Sequence, residues 1–286
     1  LELLAGGARP SAGGSDLVVG ALQGKAPLPM QLVAIDRVAA LREVLVGDGR
    51  VHLGSMVNHA TIETHPHLVA HYTALADGSA LVGSPATRNV GTIGGNVMNA
   101  SPAMDTGAPL SVLGAEVELA SVRGTRRVTV GELWTGVGTT CAQADELCTA
   151  VELPGRPPRS GSAYMRLEYR RAMEIAVVGA AASVTLAEDG TVAAVSVALT
   201  AVAPTILPVD GLSAVTGAEV ADAVARVAAL ASEQAVPITD LRASDRYRRH
   251  CVGVMAGRAL AIAAERALGT VLPVPANRAI GIGAAS

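Results

Sequence analysis

The sequence predicts an α+β protein in two parts, the second an antiparallel sheet with helices packed on it. Three observations carry this reading. The run "PGRPPRSGS", Pro154 to Ser162, sets three prolines and two glycines among basic residues, the composition of a surface linker. After it, "AAASVTLAEDGTVAAVSVALTAV" reads as two extended runs joined at Asp189–Gly190, a pair that favours a hairpin turn. Two stretches with apolar residues at helical spacing then follow. A domain boundary is therefore expected at the linker, giving parts 1–156 and 157–286.

The elements follow in order. "LELLAGG" at the start has the pattern of a helix end. "LVAID", Leu32 to Asp36, and "VHLGS", Val51 to Ser55, are short apolar runs rich in β-formers and read as strands. "TIETHPHLVAHYTALADGSA" reads as helix interrupted near Pro66, because proline cannot supply an interior N–H. "AEVELAS" and "RRVTV" read as a strand pair with Gly124 in the turn between them. In "EVADAVARVAALASE", Val220, Val224, Val227 and Ala231 share a helical face. In the last long stretch Ser244 is a natural N-cap, and Tyr247, Cys251, Val254 and Ala261 are predicted to share one face.

Composition narrows the function. Half of the 286 residues are apolar but only 2% are aromatic, with no Phe, so the core must be built from Ala, Val and Leu. A net charge of −3 argues against a nucleic-acid surface, which needs clustered Lys and Arg. The small basic patches, Arg166 with Arg170–Arg171 and Arg246 with Arg248–Arg249, read as solvated faces. Three scattered cysteines, Cys141, Cys148 and Cys251, form no CxxC and fit neither a disulfide framework nor an iron–sulfur cluster. They suit idle thiols in a reducing compartment, and cytoplasmic location is expected. The uncharged run Gly190 to Val209 contains Pro204 and Pro208 and is rich in β-branched residues, so a buried strand and loop are expected rather than a transmembrane segment.

Two glycine pairs carry the chemistry. In "SAGGSD", Gly13 and Gly14 permit positive φ, so successive backbone N–H groups can face one anion, with Ser11 and Ser15 adding hydroxyls. A Gly-Gly-Ser-Asp run is also an ordinary turn. It is not the G-x-G-x-x-G of a Rossmann unit, and no P-loop is present. In "TIGGNVMNASPAMD", Gly94–Gly95 would let backbone approach a ligand, Thr92 and Asn96 flank it with donors and acceptors, and Asp105 suits a ribose hydroxyl. Together the loops suit a dinucleotide held outside a Rossmann frame.

With "GSPATRNVGTIGGNVMNASPAMD" and "RLEYRRAMEIAVVGAAASVTL", the loop "AGGSDL" resembles the three signatures of the FAD-binding medium subunit of molybdenum hydroxylases, the xanthine dehydrogenase and carbon monoxide dehydrogenase family. The similarity runs in order along essentially the whole chain. It implies an α+β fold of the vanillyl-alcohol-oxidase (PCMH-like) type, with an FAD-binding domain of two subdomains split near residue 45 and a small α+β C-terminal domain. It implies noncovalent FAD, with Ala12, Gly13, Gly14, Ser15, Asp16 and Leu17 at the diphosphate. Thr92, Gly94, Gly95 and Asn96 match the second loop, and Asp105 the ribose position. Leu147 matches an apolar position beside the flavin, and Arg166 stands where the family commonly has Lys near the isoalloxazine. An arginine there keeps the charge but cannot shuttle a proton.

The resemblance further implies partners: a large molybdopterin subunit and a small subunit with [2Fe–2S] clusters, in a dimer of heterotrimers. The chain would be their FAD-carrying electron-transfer oxidoreductase subunit, with no catalytic side chain and no metal of its own. The alternatives are a stand-alone flavoprotein of the same fold and a non-catalytic assembly protein that has lost FAD. The histidines of "NHATIETHPHLVAHY" include the i,i+4 pair His67 and His71. Nothing in the sequence completes a metal site around them, and a solvated helix face is the expectation.

Overall fold

The computed structural model describes residues 1–24 and 27–278. Helix α1 (Glu2–Ala5) leads into strand β1 (Arg9–Ser11), helix α2 (Ser15–Leu22) and strand β2 (Leu32–Ala34), and β1 pairs with β2 in parallel. This small crossover unit packs through Ile35, Leu41 and Met56, with Ala12, Val33 and Leu147 against them.

Strands β3 (Val44–Gly47) and β4 (Arg50–Gly54) form a hairpin closed by Asp48 and Gly49, both at positive φ. A helical run follows: α3 (His59–Thr64), α4 (Pro66–His71), α5 (Thr73–Leu81), α6 (Pro85–Val90), α7 (Ile93–Asn99) and α8 (Gly107–Val112). The expected interruption is where α3 stops and Pro66 opens α4, since Pro at the first helical position forfeits no hydrogen bond. Each of three other starts is capped: Asn58, Ser84 and Thr92 accept from the N–H three residues on. Then come β5 (Glu116–Ser121), β6 (Gly124–Thr129), α9 (Val130–Leu133), β7 (Trp134–Gly136), β8 (Thr139–Thr140) and β9 (Leu147–Pro154). The main sheet has the order β3-β4-β9-β5-β6 and is antiparallel throughout.

Residues 155–159 connect to β10 (Ser160–Leu167), β11 (Val178–Leu186), β12 (Val192–Thr200) and β13 (Leu207–Pro208), an antiparallel sheet in that order. The hairpin expected at Asp189–Gly190 joins β11 to β12, with Gly190 at φ 90°. Helices α10 (Val220–Gln234) and α11 (Asp245–Ala267) follow.

The second sheet is covered on both faces. Met165, Ala180, Ala182 and Leu199 face α11 and α10, whereas Tyr164, Ala181 and Ala198 join the core of the first part with Leu75 and Leu110. Small residues make this possible. A Cβ on Gly161 would lie 2.1 Å from the Ala263 carbonyl oxygen of α11, so glycine is required for strand and helix to touch.

Two expectations need correction. On α11 the buried residues include Cys251, Val252, Met255, Ala256, Ala259 and Leu260, while Tyr247 and Val254 are exposed. Burial wraps most of the helix, so the narrow stripe read from spacing misses it. Arg248 and Arg166, read as parts of solvated patches, are both buried. Arg248 is held by Asp240 and by the carbonyls of Val177 and Ala201.

Candidate functional site

The first glycine loop joins β1 to α2. Gly14 sits at φ 73° as the N-cap of α2, a left-handed geometry that glycine adopts without strain. Among the described residues, none of the backbone N–H groups from Ala12 to Leu17 donates to a protein acceptor; the first to do so is Val18, to the Gly14 carbonyl. Six consecutive donors at a helix N-terminus make a strong local positive potential. Asp16 stands in this first turn, and burial raises its pKa.

The second loop runs from Val90 into α7. Here the donors are spent inside the protein: Ile93 N–H on Val57 O, Gly94 N–H on Ser55 O, Gly95 N–H on Thr92 Oγ1, and Asn96 N–H on Thr92 O. The N–H groups of both glycines are thus satisfied within the protein, and Gly94 also serves packing. A Cβ on Gly94 would lie 2.5 Å from Ser55 Cβ, and only glycine lets α7 settle on the end of β4. Thr92 is buried, and the Asn96 amide oxygen accepts from Thr106 Oγ1 at 2.6 Å. The Asn96 NH2 and the Thr92 hydroxyl hydrogen remain as side-chain donors.

The two loops meet. A Cβ on Gly13 would come 1.8 Å from Val90 O, and one on Gly95 would come 3.9 Å from Ala12 Cβ. Bare backbone of one loop thus rests on the other, and Leu147 packs in the same small cluster as Ala12. The residues read from sequence at positions 12–17, 92–96 and 147 are brought to one place.

Asp105 and Arg166 are joined to each other and to protein partners. Asp105 Oδ1 accepts from Tyr164 Oη at 3.0 Å and Oδ2 from Arg166 Nη1 at 2.6 Å, all three groups being buried. Each carboxylate oxygen thus accepts one hydrogen bond from the protein and keeps a second lone pair. Arg166 also donates to the carbonyls of Leu81 and Glu174 and to the Glu168 carboxylate. Its guanidinium is thereby held by protein partners. Burial pushes the Asp105 carboxyl up to about 6, against the pull of Arg166. The pair ties the α7–α8 segment to β10, and through Thr106 it abuts Asn96.

Sequence reasoning missed a second clamp. Asp77 is fully buried in α5, takes two hydrogen bonds from Arg266 of α11 at 2.6 and 3.1 Å, and accepts from the N–H groups of Tyr164 and Ala276. The signal was available: a single carboxylate inside the otherwise uncharged "TALADGSAL" has to be paired.

A helix N-terminus presenting free N–H groups, seated against a capped second helix, is an anion-binding cradle built without a Rossmann unit. Residues 1–156 match the family model of the FAD binding domain in molybdopterin dehydrogenase, and residues 162–263 match that of the CO dehydrogenase flavoprotein C-terminal domain. The chain belongs to the family of FAD-binding medium subunits of molybdenum hydroxylases, and is an oxidoreductase subunit with FAD as its cofactor.

It is 32% identical over 262 residues to the carbon monoxide dehydrogenase medium chain of Afipia carboxidovorans, covering 91% of this chain and 90% of that one. It is 34% identical over 182 residues to the nicotinate dehydrogenase FAD-subunit of Eubacterium barkeri. That match takes in 63% of this chain and only 61% of the relative's length. The solved carbon monoxide dehydrogenase of Hydrogenophaga pseudoflava superposes with a TM-score of 0.87 at 29% identity, covering 93% of both chains. The residues present suit the cofactor: six unshared N–H donors at a helix start match a diphosphate's charge and its many acceptor oxygens.

Proposed function

We propose that the chain is the electron-transfer subunit of a molybdenum hydroxylase complex. In this reading its FAD receives electrons from [2Fe–2S] clusters of a small partner subunit, which are fed by molybdopterin on a large subunit that oxidises the substrate. An external acceptor takes the electrons, and the complex is a dimer of heterotrimers in the cytoplasm. Bound FAD supplies the conversion between one-electron and two-electron transfer.

The chain's own residues do the rest. The N–H groups of Ala12, Gly13, Gly14, Ser15, Asp16 and Leu17 hold the diphosphate, and the dipole of α2 adds to them. Thr92 and Asn96 offer side-chain donors from the neighbouring loop. Leu147, with Ile35, Leu41 and Met56, keeps water from that side. Asp105 and Arg166 act as positioning residues that fix the second loop against β10. FAD binding belongs in this proposal to residues 1–156, in two subdomains split near 45, and residues 157–286 form the C-terminal domain.

The observation that carries the reading is the run of six unpaired N–H groups seated against the second loop. The printed names of the relatives, medium chain and FAD-subunit, support a multisubunit setting. The test is affinity purification of the tagged chain from its source. Co-isolation of flavin, molybdenum and iron in fixed ratio with two further polypeptides is expected. A yellow chain that purifies alone and reduces an acceptor with its own substrate would favour the stand-alone alternative.

A further inference from the structure

A second cavity, of about 270 Å³, lies at the other end of the main sheet from the glycine loops. It is an open groove bordered by the β3–β4 turn, α4 and the segment after β9, and its walls include Val46, Arg50, Val51, His67, His71 and Arg156. Along β9 it is separated from Leu147 by seven residue steps, about 23 Å of extended strand. Nothing in the proposed electron-transfer role uses it.

Its chemistry is unbalanced. Arg156 is half-buried, its Nη2 donates to Ser183 Oγ, and its Nε is buried with no partner. Among the described residues, no carboxylate oxygen lies within the 4.0 Å of an ion pair with this guanidinium. Burial accordingly pulls the Arg156 pKa down. A desolvated, uncompensated cation is costly, and proteins ordinarily pair or ligate one.

Two imidazoles stand beside it, His67 and His71, with ring centroids 4.7 Å apart. Arg50, the other cation of the wall, is already bound to Glu116 at 3.2 Å. The carboxylate among the lining residues is Asp48, at the exposed turn. Guanidinium cannot ligate a metal, and no group of three or more His, Cys, Asp or Glu with metal-binding geometry exists among the described residues.

We propose that this cavity is a binding site for a phosphate-bearing small molecule. The phosphoryl oxygens take Arg156 Nη1, which has no hydrogen-bond partner among the described residues, and the ring N–H groups of His67 and His71, while Val46 and Val51 line the space for an uncharged portion. Phosphate suits the site because it carries charge and several acceptor oxygens, enough to take donors from Arg156 and from both imidazoles at once.

The test is calorimetric titration of the flavin-loaded chain, in phosphate-free buffer, with inorganic phosphate, AMP and citrate. Saturable binding of phosphate and tighter binding of AMP are expected, with citrate weaker. Arg156→Met should weaken phosphate about 10- to 100-fold, the loss of a charge-assisted hydrogen bond. His67→Gln, a milder change on a helix surface, should weaken it by a smaller factor. Flavin content should stay at the wild-type level in both, separating this site from the cofactor's.

No saturable heat with phosphate or AMP would overturn the proposal, as would binding that both variants leave unchanged. Binding seen only in the isolated chain and lost in the assembled complex would also overturn it, assigning the cavity to an acidic side chain of a partner.

Discussion

An alanine at Gly13 probes the contact on which the cofactor site is built. Its Cβ would stand 1.8 Å from the Val90 carbonyl oxygen and 2.7 Å from the carbonyl carbon. Ordinary contacts begin near 3.4 Å, so the two loops have to part by about 1.6 Å. Both obstructing atoms are backbone, and no side-chain rotamer relieves the overlap. Overpacking of this kind costs about 1–3 kcal/mol. Charged to the bound state, that is roughly a 10- to 100-fold loss of FAD affinity. The assay is fluorescence titration of the flavin-free chain with FAD, beside urea unfolding of the same preparations. Gly20→Ala, in α2 but with nothing within 4 Å of the new methyl, serves as control and should bind as wild type. Wild-type affinity in Gly13→Ala would refute the claim that the loops form one site.

Gly94→Val should destabilise the fold itself, because the new side chain meets Ser55 rather than solvent; urea unfolding is expected to shift before any flavin effect is read. Arg266→Met leaves Asp77 buried and unpaired and should cost about 3–5 kcal/mol by urea unfolding, with Asp77→Leu/Arg266→Met recovering much of it. Asp105 supplies a pH signature. Its folded pKa, about 6, lies above the unfolded value of 3.8, so its protonated form favours folding. That contribution is complete below pH 3.8 and disappears as pH rises through 6. The unfolding free energy of wild type minus that of Asp105→Asn should therefore fall by up to about 3 kcal/mol between pH 4 and 7. A flat difference would reject the assignment.

What the sequence disclosed depended on whether the signal was local. Gly13 answers to a tertiary contact with Val90, whereas Gly14 at the start of α2 is a local backbone property, at positive φ, and that turn is legible from sequence. The Asp189–Gly190 hairpin and the Pro66 interruption are legible for the same reason. Gly94, like Gly13, is set by close packing, in its case on Ser55, and only tertiary contact reveals either position. Arg166 and Arg248 were misread as solvated because charge implies exposure unless a partner is known. Their partners lie 61 residues away for Arg166 with Asp105, and in distant carbonyls for Arg248. Tyr247 and Val254 follow helical spacing yet face outward, because they lie on the one strip of α11 that sheet and neighbouring helix leave uncovered.

The alanines of β11 have an architectural consequence. Because that strand is roofed by α11 on one side and floored by α5 and α8 on the other, the halves flanking residue 156 share a hydrophobic interior. Cut at that point, the leading fragment would expose Leu75, Leu110 and the Asp77 carboxylate to water, and the trailing one would expose Tyr164. Each piece is a separate stretch of sequence, but neither is furnished to stand without the other.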